Sequence, residues 1–276
     1  MPHSNVFPLI FTDLDGTLLD HDTYSAEPAD ALIRSLHEAS AAEIIPVTSK
    51  TQSELASLDE ALPFERSIKI SENGAIIQAP PGSPLSQGQA SKTIVLGVHY
   101  STILAAVNKL PDALRRQIVG FADMTDLDVS QHTGLSPKQA KEAKDRQATE
   151  PFLWSGTAEQ LAELEEHLTA QNIQLQQGGR FYHLTGRATK QEAMQAVVRA
   201  FRQHRPSYNY VSIALGDGPN DLQMIEAVDF GVIMPNTAGV AITSEKESVR
   251  TAKHPGPTGW VSSVTEILRE LGMQWG

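Results

Sequence analysis

The chain has 276 residues, of which 40% are hydrophobic and 20% are charged, as in ordinary globular proteins with room for two lobes. Its 22 Lys and Arg against 33 Asp and Glu give a net charge of −11, which argues against a nucleic-acid partner because such partners need a basic surface. The absence of cysteine excludes disulfides and thiolate metal sites.

The sequence predicts no membrane partner. No window approaches the roughly 20 apolar residues that span a bilayer, and residues 1–8 carry no Lys or Arg ahead of a long apolar stretch, as a signal peptide would. We therefore expect a cytoplasmic protein. Whether it is a monomer or a homodimer is left open by the sequence.

The first third of the chain alternates strands and helices. The first strand is a short apolar run that stops at Asp13, which is typical of a buried parallel strand. This alternation predicts a parallel sheet with right-handed crossovers. The predicted strands are 6–12, 43–47 and 67–71, and the predicted helices are 28–39 and 51–62.

The middle of the chain has a different pattern. Residues 79–91 are rich in Pro, Gly and small polar residues, which predicts a loop. Capping boxes that begin at Ser136 and Thr157 predict helix starts in the region that follows. We interpret residues 85–186 as an inserted α+β lobe. Its predicted strands are 93–98, 151–154, 173–176 and 180–184, and a further helix is predicted at 100–109.

The alternating pattern returns after residue 186. Helices are predicted at 190–204, 222–228 and 260–271, and strands at 210–215 and 230–234. We therefore expect an α/β fold, a doubly wound parallel sheet with an inserted α+β cap. The predicted core comprises residues 1–84 and 187–276, and the predicted cap comprises residues 85–186.

Two acidic clusters follow apolar strands. Asp13 and Asp15 come directly after the first strand, and Asp217 and Asp221 come after the strand at 210–215. In an open α/β sheet, ligands bind beyond the carboxyl ends of the strands. A single Asp in such a place is usually a turn residue or a helix cap, but two clusters together predict a site for a hard cation such as Mg²⁺.

These residue types suit phosphoryl transfer. Asp13, ionised at an ordinary pKa of ~3.9, can attack phosphorus and form an aspartyl phosphate. Asp15 can protonate the leaving alkoxide and then deprotonate the hydrolytic water. Lys190 and Mg²⁺ would neutralise phosphoryl charge, while Thr48 or Ser49, after the second strand, would donate to a phosphoryl oxygen.

These motifs together resemble the haloacid dehalogenase superfamily of aspartyl phosphatases. The matching elements, in order, are residues 13–17, Thr48, Lys190 and residues 216–221. The resemblance implies that Mg²⁺ is held by Asp13, the backbone carbonyl of Asp15, and Asp217, with Asp221 and Asn220 in support. The long insertion between the second and third motifs resembles the larger α/β cap of the sugar-phosphatase branch.

A narrower resemblance concerns the substrate. The chain has Thr-Ser-Lys-Thr at 48–51 where many members of that branch have Thr-Gly-Arg, and is similar there to mannosyl-3-phosphoglycerate phosphatases. This implies hydrolysis of mannosyl-3-phosphoglycerate, or of its glucosyl analogue, to the glycosylglycerate and phosphate. Three alternatives stay open: a broad sugar-phosphate or sucrose-phosphate phosphatase, a phosphomannomutase, and a non-catalytic sugar-phosphate-binding protein.

A glycosyl-phosphoglycerate carries a carboxylate and sugar hydroxyls besides its phosphate. Arg180 follows a glycine pair and is a candidate to bind the carboxylate. An equal alternative is that Arg180 is only a solvated residue of a strand. Lys50 is a candidate to bind phosphate or carboxylate, with a plain surface residue at a helix N-terminus as the alternative. Asn73 is a candidate to bind sugar hydroxyls, with a plain turn residue as the alternative. His183 is a candidate substrate ligand, with a core histidine as the alternative. Ser49 and Asn220 complete the predicted substrate-binding set.

Overall fold

The computed structural model describes residues 5–58, 62–86, 88, 90–178, 181–236 and 241–275. The strands are β1 (Val6–Thr12), β2 (Glu43–Pro46), β3 (Lys69–Ser71), β4 (Ile76–Ala79), β5 (Lys92–Val95), β6 (Ile118–Gly120), β7 (Thr149–Trp154), β8 (Gln174–Gly178), β9 (Phe181–Thr185), β10 (Asn209–Gly216), β11 (Phe230–Ile233) and β12 (Val249–Thr251). The helices are α1 (Ala29–Glu38), α2 (Gln52–Leu58), α3 (Tyr100–Asn108), α4 (Asp112–Arg115), α5 (Asp126–Thr133), α6 (Pro137–Lys144), α7 (Ala158–Thr169), α8 (Lys190–His204), α9 (Leu222–Ile225) and α10 (Gly256–Glu270).

A five-stranded sheet lies at the centre of the first lobe, in the order β12–β11–β10–β1–β2. All of its neighbouring strands are parallel. Apolar side chains of α1 and α10 cover one face of this sheet, and those of α8 and α9 cover the other. The doubly wound α/β fold predicted from the sequence is therefore confirmed.

Helix α8 shows why the outer helices form and how they dock. The Thr189 hydroxyl accepts a hydrogen bond from the Glu192 N–H, and the Glu192 carboxylate accepts one from the Thr189 N–H, which satisfies the free donors at the helix start. Ala193, Val197 and Phe201 are buried on one side of the helix. This apolar stripe packs α8 on the sheet, and Lys190 begins the helix at its capped end.

A smaller antiparallel sheet, in the order β3–β4–β5, extends the first lobe. The strand predicted at 67–71 meets β2 only through a single parallel bridge, Val47 to Ile70, and pairs instead with β4. The strand predicted at 93–98 forms as β5 and also pairs with β4, which the sequence did not predict. The chain therefore stays in the first lobe through β5 and enters the second lobe only after it.

The second lobe contains a four-stranded antiparallel sheet in the order β6–β7–β9–β8. Phe152 and Leu184 on the sheet pack against Ile103 of α3 and Leu164 of α7. The capping boxes predicted at Ser136 and Thr157 are both formed. Strand β6 lies between α4 and α5 and was not among the strands predicted from the sequence.

Two glycines meet where the chain passes between the lobes. A Cβ on Gly186 would lie 2.5 Å from the backbone nitrogen of Val98 and 2.8 Å from the Cα of Gly97. Any side chain at Gly186 would therefore collide with the other connecting segment. In the described part of the chain, no helix is both long and apolar enough to cross a membrane.

Candidate active site

The carboxyl ends of β1, β2 and β10 meet at one edge of the central sheet. Thr12 stands beside Leu215 in the parallel register of β1 and β10, and the Asp13 N–H donates to the Leu215 carbonyl at 2.9 Å. Asp13 and Asp217 therefore follow neighbouring strands at the same level. The two acidic clusters of the sequence converge on this edge.

Three carboxylates and one lysine form the centre of the site. Asp13, Asp217 and Asp221 each offer an oxygen atom within 4.8 Å of the other two. The buried Lys190 ammonium lies 2.7 Å from Asp13 Oδ1 and 2.5 Å from Asp221 Oδ1. The start of α8 thus delivers a cation between two of the three acids.

Asp221 holds its own loop as well as the lysine. Its Oδ2 accepts hydrogen bonds from the N–H groups of Asp217 and Gly218, at 3.2 and 3.0 Å. Because its Oδ1 is engaged by Lys190, both oxygens have donors. The neighbouring Asn220 amide donates to Asn73 Oδ1 at 3.2 Å and so links this loop to the turn after β3.

Glycine lets that turn approach α8. Asn73 has a φ of 57° within the short 3₁₀ turn at 72–74, and Gly74 has a φ of 96°. A Cβ on Gly74 would lie 2.3 Å from the carbonyl oxygen of Thr189. The predicted turn is therefore present, and it packs directly against the helix start that carries Lys190.

Burial and neighbouring charges shift the pKa values of the acids and the lysine in the site. Desolvation, aided by the carboxylates of Asp221 and Asp15, raises the pKa of Asp13 to about 8 despite the opposing effect of Lys190. Desolvation and Asp221 raise the pKa of Asp217 to about 6. Burial would lower the pKa of Lys190, but Asp13 and Asp221 outweigh it and raise that pKa. The pKa of Asp13 therefore differs from the ordinary value expected from the sequence, and neighbouring cations such as Lys190 are needed to favour its ionised form.

The donor set fits a divalent cation. Three clustered carboxylates against one ammonium leave negative charge to be neutralised, and hard carboxylate oxygens suit Mg²⁺. Asp217 Oδ2 is held at 2.8 Å by the Asn236 amide, as supporting hydrogen bonds orient metal ligands elsewhere. The cluster could therefore bind a metal ion between Asp13 and Asp217.

Asp15 stands apart from the three-carboxylate cluster. Its Oδ2 pairs with Lys50 Nζ at 2.8 Å, and its Oδ1 is buried with no hydrogen-bond partner among the described residues. The ring of Tyr24 covers the same ammonium at 5.5 Å. Asp15 therefore has one oxygen available for another group.

Thr48 is buried after β2, where its N–H donates to the Ile70 carbonyl at 2.9 Å. Its hydroxyl oxygen accepts from the Lys50 N–H at 3.2 Å, which leaves the hydroxyl proton available for donation. Ser49 lies between the two, and its carbonyl is 3.5 Å from Arg146 Nη1. The loop therefore offers the Thr48 hydroxyl as a donor, while the Ser49 carbonyl accepts from Arg146.

One predicted substrate-binding residue, His183, is not drawn into this cluster. His183 lies on β9 of the second lobe, where burial and the Arg146 charge lower its pKa to about 4. Arg180 lies outside the described residues. Sequence reasoning missed Arg146 and Asn236. Asn236 comes soon after β11, so a polar residue beyond a neighbouring strand was the available signal, whereas nothing around Arg146 marked it.

The fold and site together define a class of enzyme. The chain belongs to the haloacid dehalogenase-like hydrolases, whose family model matches residues 10–253. Among named relatives, the glucosyl-3-phosphoglycerate/mannosyl-3-phosphoglycerate phosphatase of Persephonella marina is 34% identical over 95% of this chain and 98% of its own length. The family and this relative make the chain a phosphoric monoester hydrolase.

Solved structures agree on the fold. A haloacid dehalogenase-like hydrolase from Bacteroides thetaiotaomicron superposes with a TM-score of 0.63 at 17% identity, over 96% of this chain and 99% of that one. The sucrose-phosphatase of Synechocystis, solved with sucrose and phosphate, gives a TM-score of 0.57 at 15% identity, over 96% and 98%. At these identities the likeness concerns the fold alone.

Proposed function

We propose that this protein is a Mg²⁺-dependent phosphatase that acts through Asp13 as nucleophile on a glycosyl-3-phosphoglycerate. The observation that carries the proposal is the buried Lys190 ammonium between Asp13 and Asp221, with Asp217 beside them. This arrangement places an acid able to attack phosphorus next to the positive charge that a phosphoryl group needs. A site that only binds a sugar phosphate would need the positive charge but no nucleophile.

In the proposed reaction, an Asp13 oxygen forms a bond to phosphorus while the bond from phosphorus to the ester oxygen breaks. Asp15 gives a proton to the departing alkoxide and later removes one from the water that hydrolyses the aspartyl phosphate. That water's oxygen bonds to phosphorus, and the Asp13 carboxylate is released. Lys190 and the Thr48 hydroxyl bind phosphoryl oxygens throughout.

Mg²⁺, held by Asp13 and Asp217, would supply positive charge against the phosphoryl group and the carboxylates. We assign Asp221 a supporting role, because both of its oxygens already accept hydrogen bonds. Asn236 orients Asp217 from the side. These side chains keep the two proposed ligands in place.

The substrate proposal draws on the named relative. The Persephonella marina protein is a phosphatase of glucosyl- and mannosyl-3-phosphoglycerate, and the two chains align over nearly their whole lengths. We propose the same two substrates here, with Lys50 and Asn73 at the edge of the phosphate site. We also propose that the second lobe acts as a cap joined to the core near Gly97 and Gly186, which would shield the reaction from water.

Phosphate release from a panel of phosphorylated metabolites tests the proposal. Mannosyl- and glucosyl-3-phosphoglycerate should be the best substrates with Mg²⁺, and a chelator should abolish release. Faster turnover of sucrose phosphate or simple hexose phosphates would favour a broad sugar phosphatase. Interconversion of hexose monophosphates without release would favour a mutase, and full activity with chelator would contradict the metal dependence.

A further inference from the structure

Arg146 lies where the second lobe touches the loop at residues 48–51, called here the phosphate loop because Thr48 is proposed to bind phosphoryl oxygens. Its Nη1 is 3.5 Å from the Ser49 carbonyl, between Thr48 and Lys50 in sequence. The neighbouring Gln147 amide donates to Gln52 Oε1 at 3.0 Å. The side chain of Arg146 therefore reaches the site from a segment 97 residues away in sequence.

A hydrogen-bond relay fixes the direction of this guanidinium. Arg146 Nη1 donates to Thr149 Oγ1 at 2.8 Å, and Thr149 Oγ1 donates to Glu72 Oε2 at 2.6 Å. Glu72 is fully buried and also accepts from the N–H groups of Gln147 and Ala148, at 2.8 and 3.1 Å. Because Arg146 Nε donates to the Ala143 carbonyl at 3.0 Å, the guanidinium is held on two sides.

The remaining side of the guanidinium is available. Within the described ranges, Arg146 Nη2 makes no hydrogen bond, and no carboxylate lies at salt-bridge distance from Arg146. The two lysines nearest the reaction differ in this respect. Lys50 is paired with Asp15, and Lys190 with Asp13 and Asp221. Arg146 therefore has no directly contacting ion-pair partner among the described residues, although its charge acts on the nearby Glu150 carboxylate.

Two polar atoms without partners lie on the sheet of the second lobe, near Arg146. His183 and Thr185 alternate along β9 and stand opposite Pro151 and Thr149 of β7, so all four side chains share one face of the sheet. His183 Nδ1 and Thr185 Oγ1 are buried with no partner among the described residues. Buried polar atoms without partners are rare, and here they occur beside the held arginine.

We propose that Arg146 determines specificity by binding the substrate's carboxylate, with His183 Nδ1 taking a neighbouring hydroxyl. This inference rests on the proposed function, because a glycosyl-3-phosphoglycerate carries a carboxylate a few bonds from its phosphorus. A planar guanidinium matches a carboxylate through two parallel hydrogen bonds. The low pKa of His183, about 4, keeps its ring neutral near pH 7, as suits an uncharged hydroxyl.

A matched pair of inhibitors tests the role of Arg146. 3-Phosphoglycerate and glycerol 3-phosphate differ chiefly in whether a carboxylate or a hydroxymethyl group stands next to the phosphorylated arm. Their inhibition constants would be measured against aryl phosphate hydrolysis in the wild-type protein and in Arg146→Gln. The variant should bind 3-phosphoglycerate about 10- to 100-fold more weakly and glycerol 3-phosphate less than about threefold more weakly.

Arg115→Gln is the control, because it removes a cap arginine that pairs with Asp123 and should keep the wild-type ratio. Equal weakening of both inhibitors in Arg146→Gln, or no wild-type preference for 3-phosphoglycerate, would overturn the inference. The proposed function is judged separately, by phosphate release from glycosyl-3-phosphoglycerates in the wild-type protein.

Thr149 is a positioning residue in this scheme. Thr149→Val removes the hydroxyl that joins Arg146 to Glu72 and should raise KM for glycosyl-3-phosphoglycerate more than it lowers kcat. Thr149→Ser keeps the hydroxyl and should restore KM. A fall in kcat on every substrate, with no recovery in the serine variant, would make Thr149 merely structural and contradict the relay.

Discussion

Gly16 offers a sharp test of the proposed metal site. This residue follows Asp15 with a φ of +75°, and a Cβ built on it would lie 2.7 Å from Asp217 Oδ2. Ordinary contacts of this kind begin at 3.4 Å, so the carboxylate of Asp217 must withdraw by 3.4 − 2.7, or about 0.7 Å, in Gly16→Ala. Metal sites tolerate errors of only about 0.2 Å in ligand distance.

We therefore expect the Mg²⁺ concentration for half-maximal activity to rise about 10- to 100-fold in Gly16→Ala, as when supporting contacts of a metal site are lost. The left-handed backbone should also cost about 1–2 kcal/mol of stability, since a Cβ is strained there. The assay is aryl phosphate hydrolysis over a Mg²⁺ titration, with Tm measured in parallel.

Gly82→Ala is a matched control for the backbone effect. Gly82 has a similar φ of +78°, but a Cβ there would meet nothing within 4 Å. Both variants should lose comparable stability, whereas only Gly16→Ala should need more Mg²⁺. If the two Mg²⁺ titrations coincide, Asp217 does not hold the metal as proposed.

Three further predictions concern the nucleophile, a buried acid and the connection between lobes. Asp13→Asn should abolish phosphate release while the far-UV circular dichroism spectrum is unchanged. The control is Asp22→Asn, at an exposed position, which should keep wild-type activity. Turnover near the wild-type rate in Asp13→Asn would contradict the nucleophilic role of Asp13. Burial raises the pKa of Glu43 from 4.5 to about 7, so folding takes up a proton between these values and stability falls as pH rises through that window. In urea unfolding, the free energy of unfolding of Glu43→Gln should thus exceed that of the wild type by about 3 kcal/mol at pH 8 but by under about 1 kcal/mol at pH 5. Equal differences at the two pH values would refute the raised pKa of Glu43 as the cause. Gly186→Ala, whose Cβ would lie 2.5 Å from Val98 N, should lower Tm by several degrees; an unchanged Tm would mean that the connecting segments separate freely.

The sequence predicted best where a local pattern and a tertiary role coincide. Strands β1 and β10 are apolar because both of their faces are covered, and α8 begins at its capping box. The same strands end in the acidic clusters, so the position of Asp13 beside Asp217 followed from the rule that ligands bind at the carboxyl edge.

What could not be predicted depends on contacts between distant segments. Strands β6 and β12 have three residues each, too few for a periodic pattern, and they exist because a neighbouring strand supplies hydrogen bonds. Strand β3 was expected to continue the parallel sheet, yet it pairs antiparallel with β4, which was not predicted. Likewise Arg146 reaches the site only through the packing of one lobe on the other.

The setting of Glu72 constrains how the two lobes can move. This carboxylate belongs to the first lobe, and among the described residues its hydrogen-bond donors are Gln147, Ala148 and Thr149 of the second. Pulling those donors away would strand a charge in an apolar interior, at a cost of several kcal/mol. Domain opening should therefore be a rotation about this contact. Residues 147–149 would keep their positions against the first lobe, and the part of the cap farthest from them would move most.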